Sequence, residues 1–243
     1  MAKAKKQKAQ EESSWWDVFK TFSWALLLAL IFRSFFYQPF HIPSGSMKPT
    51  LEIGDYLIVS KFSYGYSNSS FPLSPNIIDG RIFFTEPKRG DIVVFKVPGR
   101  KMGDDVFIKR LIGLPGDEIQ VINGVLHING QPVDLVEDGD YMDHEKSVVM
   151  TRLIETLPGG VKHNILDEGY NQFVDSTNVY KVPAKHYFMM GDNRDNSQDS
   201  RFPTPGFVAE ENLIGHAELI LFSFGDSFIN PLEWKFERFF TKL

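Results

Sequence analysis

The sequence predicts an all-β protein. Coiled antiparallel β-sheets form its core, a smaller domain is inserted into them, and one N-terminal transmembrane helix precedes them. Three observations carry this reading. A membrane-length apolar segment lies near the N-terminus. Short runs rich in β-branched and aromatic residues fill most of the chain beyond that segment. Between Pro39 and Asn230 no long amphipathic helical pattern appears.

Residues 1–14 form a polar tail carrying Lys3, Lys5, Lys6 and Lys8. Nothing in it can build a core. Residues 15–37 read as the anchor. The uncharged centre runs from Thr21 to Phe32, and Lys20 and Arg33 at its margins can snorkel towards headgroups. As a helix, Trp15 to Phe36 would be about 33 Å long, enough to cross a bilayer. Trp15, Trp16, Phe35, Phe36 and Tyr37 mark its ends as an aromatic belt would. A cleaved secretory signal and a buried core helix are the alternatives. No small-residue cleavage site comes after the apolar centre, because Arg33-Ser34-Phe35-Phe36-Tyr37 stands there, so an uncleaved anchor is favoured. The four N-terminal lysines place that end in the cytoplasm and the rest of the chain on the far side.

Strand signals come next. They are Tyr56-Leu57-Ile58-Val59, Asp91 to Phe95, Val106 to Ile112, Tyr187 to Met190 and Glu218 to Phe222. Val121 to Gly130 carries two Asn-Gly hairpin signals. Phe62 to Ile78, rich in Ser, Tyr, Asn and Pro, reads as a long loop. From Gln131 to about Tyr180 the texture turns polar, acidic and loop-like, and strand signals weaken. These patterns set a β-rich domain over 38–118 and 182–243, with 119–181 inserted as a second domain or β-ribbon. In the aromatic tail from Phe222 to Leu243, Pro231 can start a helix. Leu232, Lys235, Phe236, Phe239, Phe240 and Leu243 then recur at three- and four-residue spacing. Such a helix either packs on the β-domain or lies in the membrane interface, with Lys235, Arg238 and Lys242 at headgroup level.

Composition narrows the function classes. The net charge of −5 argues against a general nucleic-acid binder. The chain has no cysteine, which rules out thiolate chemistry and a disulfide framework. The six histidines are scattered over different segments in no metal or triad pattern, and read as structural or exposed. No metal site and no cofactor is expected.

The chain is organised around Phe40-His41-Ile42-Pro43-Ser44-Gly45-Ser46-Met47-Lys48-Pro49-Thr50-Leu51. Two prolines hold the backbone extended around two hydroxyls and a glycine. Gly45 permits close backbone approach, and a serine between rigid segments can present its Oγ outward. A plain Ser/Gly linker is the alternative. Within Val106 to Ile112, alternation puts Phe107, Lys109 and Leu111 on one face and Ile108 and Arg110 on the other. Desolvation between Phe107 and Leu111 would lower the Lys109 pKa and make it a general base near neutral pH. A lysine snorkelling from an edge strand is the alternative. Arg110 is assigned to solvent or a surface pair.

Tyr187 to Arg201 is an apolar strand running into a dense polar loop. Its charges and amides can form a self-satisfied network that fixes a side chain near a site, or simply a solvated loop. In it, Asp199 and Arg201 share a face and can pair to brace the loop. A calcium loop fails. With Asp195, Ser197 and Asp199 at positions one, three and five, Ser200 falls at six and Gly206 at twelve, where Gly and Glu are required.

Four segments in order carry a resemblance. They are Pro43-Ser44-Gly45-Ser46-Met47, Gly90-Asp91-Ile92-Val93-Val94-Phe95, Lys109 to Asp117, and Gly191-Asp192-Asn193-Arg194-Asp195-Asn196-Ser197. Together they resemble the boxes of bacterial type I signal peptidase, the leader peptidase family. The resemblance covers Tyr37 to about Phe224. It implies a Ser/Lys dyad on a β-rich catalytic core that cleaves signal peptides from exported preproteins. It also implies a site at the outer, periplasmic face of the plasma membrane, close to the export translocon. By position it implies Ser46 as nucleophile, Lys109 as general base, and Ser197 as the serine that orients the lysine. It implies, too, an oxyanion hole formed by the Ser44 hydroxyl and the Ser46 N–H, and shallow substrate pockets lined by Ile42. The residues support such chemistry independently: a serine hydroxyl needs a base, and a neutral lysine is one. Two rivals remain. One is a Ser/Lys endopeptidase with a narrow client, such as a pilin or conjugation-factor precursor. The other is a non-catalytic, membrane-anchored β-domain that binds peptides at a sheet edge.

Overall fold

The computed structural model describes residues 15–101, 103–169, 172–225 and 229–243. The expected basic tail at 1–14 and Phe228 of the aromatic tail lie outside the described residues.

The first element is helix α1, Trp15–Phe35, with Asp17 in its first turn and Arg33 in its last. It ends two residues short of the expected boundary, because Tyr37 already starts a strand. Only 6% of its apolar window is buried against the protein. A helix apolar on all sides and this exposed needs another apolar surrounding. Its length and composition fit a membrane anchor.

Among the described residues, fifteen strands come after it, paired antiparallel in three sheets. They are β1 (Tyr37–His41), β2 (Asp55–Ser60), β3 (Ile92–Lys96), β4 (Val106–Gly113), β5 (Glu118–Ile122), β6 (Val125–Ile128) and β7 (Gln131–Pro132). Then come β8 (Asp134–Asp143), β9 (Val148–Thr156), β10 (Lys162–Asp167), β11 (Tyr180–Lys181), β12 (His186–Met190), β13 (Val208–Ala209), β14 (Leu213–Ser223) and β15 (Thr241–Lys242). The main sheet runs β1-β2-β14-β3-β4-β12-β13, with β15 on β14. Register shifts along β14 and in β12 bend it, as bulges do. The all-β, curled antiparallel fold is the one the sequence predicts. β1 lies hidden in the sequence among aromatics that read as the membrane belt. Its Pro39 suits the edge position it holds.

Three apolar clusters form the core. Met47, Leu51, Leu57, Val59 and Ile220 belong to the first. Phe95, Leu111, Tyr187 and Met189 belong to the second. Ile112, Phe188 and Met190 from the main sheet join Ile119, Val121, Leu126 and Ile128 in the third. This last cluster cements a four-stranded sheet, β11-β5-β6-β7, onto the main one. Both Asn-Gly turns fall between its strands, with positive φ at Asn123, Gly124, Asn129 and Gly130, as two-residue hairpin loops require.

Two expectations need correction. The stretch from Gln131 is not loop-like. It holds a three-stranded sheet, β10-β9-β8, whose β8 spans ten residues. Residues of β8 are exposed or half-buried along nearly its whole length, so acidic side chains fit and the backbone ladder alone defines the strand. The tail after Pro231 is not an α-helix. It makes two short 3-10 turns, Pro231–Glu233 and Phe236–Arg238, then adds β15 to the main sheet. Phe240 sits at φ 58, which no continuing helix allows. Lys235 and Arg238 are not free for headgroups. They pair with Glu52 at 2.7 Å and Asp55 at 2.5 Å.

Candidate active site

The Ser44–Met47 segment is shaped by its own residues. Ser44 is extended, at φ −139 and ψ 151, and a single 3-10 turn over Gly45–Met47 comes next. Leu51 N–H donates to the Met47 carbonyl at 2.9 Å. Met47 and Leu51 are fully buried, so they nail the turn into the core and leave Ser46 between them and the surface. Asn193 grips the turn from outside. Its Nδ2 donates to Gly45 O at 3.0 Å and its backbone N–H to Ser46 O at 3.2 Å.

Strand β4 brings up the amine. Lys109 Nζ lies 2.7 Å from Ser46 Oγ, in hydrogen-bond contact, and also donates to the Ile108 carbonyl at 2.9 Å. Lys109 is 4% exposed, and its Nζ sits 5.6 Å from the Phe107 ring centre. Burial lowers its pKa to about 8. The carboxylates of Asp199 and Asp192 push the other way and do not offset it.

The remaining sequence-predicted residues fall around this pair. Ser44, Ser46, Ile42 and Lys109 line one cleft of about 910 Å³. Ile42 is buried in its wall, while Ser44 is exposed at its mouth. Ser197 is buried beside the Asp199 carboxylate and does not bond Lys109, which is held by Ser46 and by its own strand instead. A Cβ on Gly191 would meet Ser197 Oγ at 2.2 Å and Ser46 O at 2.5 Å. Only glycine lets the two serines' segments close on each other there. Asp199 and Arg201 form a buried two-point pair, both contacts at 2.9 Å. Asp199 Oδ2 also accepts from Gly191 N–H at 3.0 Å.

Arg110 departs from its expected place. It is not at the surface. It is buried and bonds Asp192 twice, with Nε to Oδ1 at 2.8 Å and a terminal nitrogen to Oδ2 at 2.6 Å. Burial raises the Asp192 carboxyl, and Arg110 more than offsets this, holding it below the usual carboxylate range. Beside it Arg194 pairs with the fully buried Glu155 at 2.7 and 2.6 Å. Burial raises the Glu155 carboxyl, and the Arg194 charge outweighs it, so its pKa falls to about 2. His163 is buried against Glu155 at 3.3 Å. The density of charge in Asp192 to Arg201 signals a network, but nothing in the sequence marks Glu155 or His163 as members of it.

A serine hydroxyl in hydrogen-bond contact with a buried lysine amine, and with no hydrogen bond to a histidine among the described residues, is the arrangement of a serine peptidase of the Ser/Lys kind. An apolar helix ahead of the sheet adds an anchor to that class. A family model described as "Signal peptidase, peptidase S26" matches residues 15–222. The signal peptidase I of Rickettsia conorii is 43% identical over 212 residues, covering 84% of this chain and 78% of that protein. The signal peptidase I of Rickettsia akari is 42% identical over 221 residues, covering 87% and 80%. A solved signal peptidase I from Enterococcus faecalis V583 shares 30% identity over 54% of this chain and 97% of that one, at a TM-score of 0.32, too low to bear on the fold. The chain belongs to the signal peptidase family, peptidase S26, and is a serine endopeptidase.

Proposed function

We propose that this endopeptidase removes N-terminal signal peptides from exported preproteins, with Ser46 as nucleophile and Lys109 as general base. The observation that carries the assignment is the 2.7 Å contact between a buried amine and a serine hydroxyl at the floor of an open cleft. Neutral Lys109 takes the proton as Ser46 Oγ attacks the scissile carbonyl. The tetrahedral oxyanion is met by the Ser46 N–H and the Ser44 hydroxyl. Lys109 then protonates the leaving amine, and water, activated by the same lysine, releases the acyl chain. Ser197, a buried hydroxyl on the loop beside the dyad, is the partner that steadies Lys109 once Ser46 Oγ has become part of the acyl-enzyme. Asp199 and Arg201 brace the loop that carries it.

The substrate enters as a strand. Tyr37–His41 is an edge of the main sheet, and its residues Gln38 to His41 line the cleft with Ile42. Backbone pairing there puts alternate side chains against the Ile42 wall, which suits small residues one and three before the cut. The lysine-rich end of the chain lies in the cytoplasm, and the site faces the outer surface of the plasma membrane beside the export translocon. Exposed Ile229, Leu232, Phe236 and Phe240 would touch the lipid surface. Residues 119–181 form an inserted second unit. Incubating the detergent-solubilised chain with an exported precursor tests the reading. Cleavage is expected from the parent, none from Ser46→Ala, and none when phenylalanine replaces alanine just before the cut. Cleavage by Ser46→Ala above a few per cent of the parent would overturn it.

A further inference from the structure

Lys48, two residues past Ser46, is buried at 3% exposure, which a lysine tolerates only with partners. Its stem folds back over the nucleophile turn. A Cβ on Gly45 would touch Lys48 Cδ and Cε at 3.1 Å. Its Nζ then reaches Asp143 Oδ1 at 3.1 Å and Glu145 Oε1 at 3.2 Å. Asp143 ends β8, ninety-five positions along the chain, and is itself buried. The same Oδ1 also accepts Glu145 N–H at 3.0 Å, so the hairpin turn helps to orient the carboxylate. Burial opposes the ammonium, but the two carboxylates outweigh it and raise the Lys48 pKa, so it stays charged at neutral pH.

The turn is therefore gripped from two sides. Asn193 holds the Gly45 and Ser46 carbonyls, and Lys48 ties the stem of the turn to the β8–β9 hairpin. We infer that Lys48 is a positioning residue: its buried pair with Asp143 fixes the Gly45–Ser46 peptide in the orientation that aims the Ser46 N–H at the oxyanion. This rests on the proposed role of Ser46. The hairpin thereby becomes part of the catalytic framework and not a mere decoration. Because the oxyanion forms only in the transition state, loosening the peptide lowers kcat and leaves KM nearly unchanged.

The test is steady-state cleavage of a precursor peptide by the full chain in detergent, with thermal unfolding in parallel. Lys48→Met alone leaves Asp143 buried with its lysine partner gone, so Lys48→Met/Asp143→Asn is made beside it to remove both charges. Glu145→Gln, at the half-exposed partner, perturbs one arm only. The expected result is a fall in kcat of roughly tenfold to a hundredfold in Lys48→Met. KM should stay within about twofold, with a similar loss in the double variant and a smaller one in Glu145→Gln. Lys48→Arg, which keeps the charge, should recover part of the rate. A double variant with parental kcat overturns the inference, as does a loss confined to unfolding temperature. Ser46→Ala separates the two claims. If it retains activity, the nucleophile assignment fails; if it is dead while Lys48 variants turn over normally, only the positioning role fails.

Discussion

Arg110 and Asp192 meet through two hydrogen bonds one position along β4 from Lys109, on the opposite face of the strand. The pair joins the strand that carries Lys109 to the loop that carries Asn193, which in turn holds Ser46 O at 3.2 Å. Thr50 Oγ1 donates to Asp192 Oδ2 at 2.5 Å from the other side of the nucleophile turn. The segments that carry Lys109 and Ser46, whose side chains meet at 2.7 Å, thus share one buried ionic support.

Breaking that support by half is costly. Arg110→Met leaves Asp192, at 1% exposure, as an uncompensated buried carboxylate. A loss of about 3–5 kcal/mol in unfolding free energy is expected. Arg110→Met/Asp192→Leu removes both charges and should recover most of it. Urea denaturation measures both. An unchanged midpoint in Arg110→Met would show that the pair supports nothing.

Activity should track the Lys109 amine. Its pKa is lowered to about 8 by burial, so the neutral base is populated above that pH and lost below it. kcat/KM is expected to rise with pH through about 8 and then level. A pH–rate series on the parent and on single His→Gln variants checks this. An acid limb that vanishes in one histidine variant assigns the base to that histidine instead.

The same residue weakens the fold at neutral pH. Unfolded, the amine has its ordinary pKa of 10.5; folded, about 8. Between those values the unfolded chain binds more proton, so stability rises with pH across that window. Below about 8 both states are protonated and the penalty is complete. Lys109→Met removes it. The variant should be inactive yet more stable than the parent at about pH 6–7, by up to about 3 kcal/mol. The difference should shrink towards about pH 10. A variant less stable at every pH would mean that the lysine is favourably bonded and not desolvated.

Much of this is legible in the sequence, for identifiable reasons. β-branched runs and Asn-Gly turns mark strands β2 to β6, β12 and β14 because local pattern and tertiary fold agree there. Proline-bounded Ser44 to Met47 and the apolar flanks of Lys109 mark the site because unusual neighbours constrain backbone and charge locally. Arg110 is misplaced by the pattern because alternation states which face a residue takes, not what waits there; Asp192 lies 82 positions away. Lys48 and Glu155 carry no signal, since their partners Asp143 and Arg194 lie 95 and 39 positions away along the chain. The tail misleads by its spacing. Its three- and four-residue repeat falls on separate turns, where Phe222, Phe224, Trp234 and Phe239 pack edge-on or tilted at centroid distances of 4.9 to 6.1 Å.

The tail holds the core as well as offering apolar surface, and the two roles separate by substitution. Arg238 donates to both oxygens of the fully buried Asp55 and to Thr50 O at 3.0 Å. Asp55 Oδ2 in turn accepts Glu52 N–H at 2.8 Å, and Lys235 Nζ reaches Glu52 Oε2 at 2.7 Å. These contacts lie just after the nucleophile turn. Deleting 230–243 would strand a buried carboxylate and uncover β14, so membrane binding by the truncated chain would report unfolding. Arg238→Met in the full chain should lower stability by about 3–5 kcal/mol and leave lipid binding intact. Ile229→Ser/Leu232→Ser removes two apolar side chains that are 89% and 95% exposed, while Phe236 and Phe240, which pack on Trp234, Phe239 and Phe222, stay in place. It should keep the parental unfolding midpoint. With 15–36 replaced by a soluble fusion partner in both chains, it should reduce flotation with anionic vesicles severalfold. Equal flotation of the two would mean that the helix alone holds the enzyme to the bilayer.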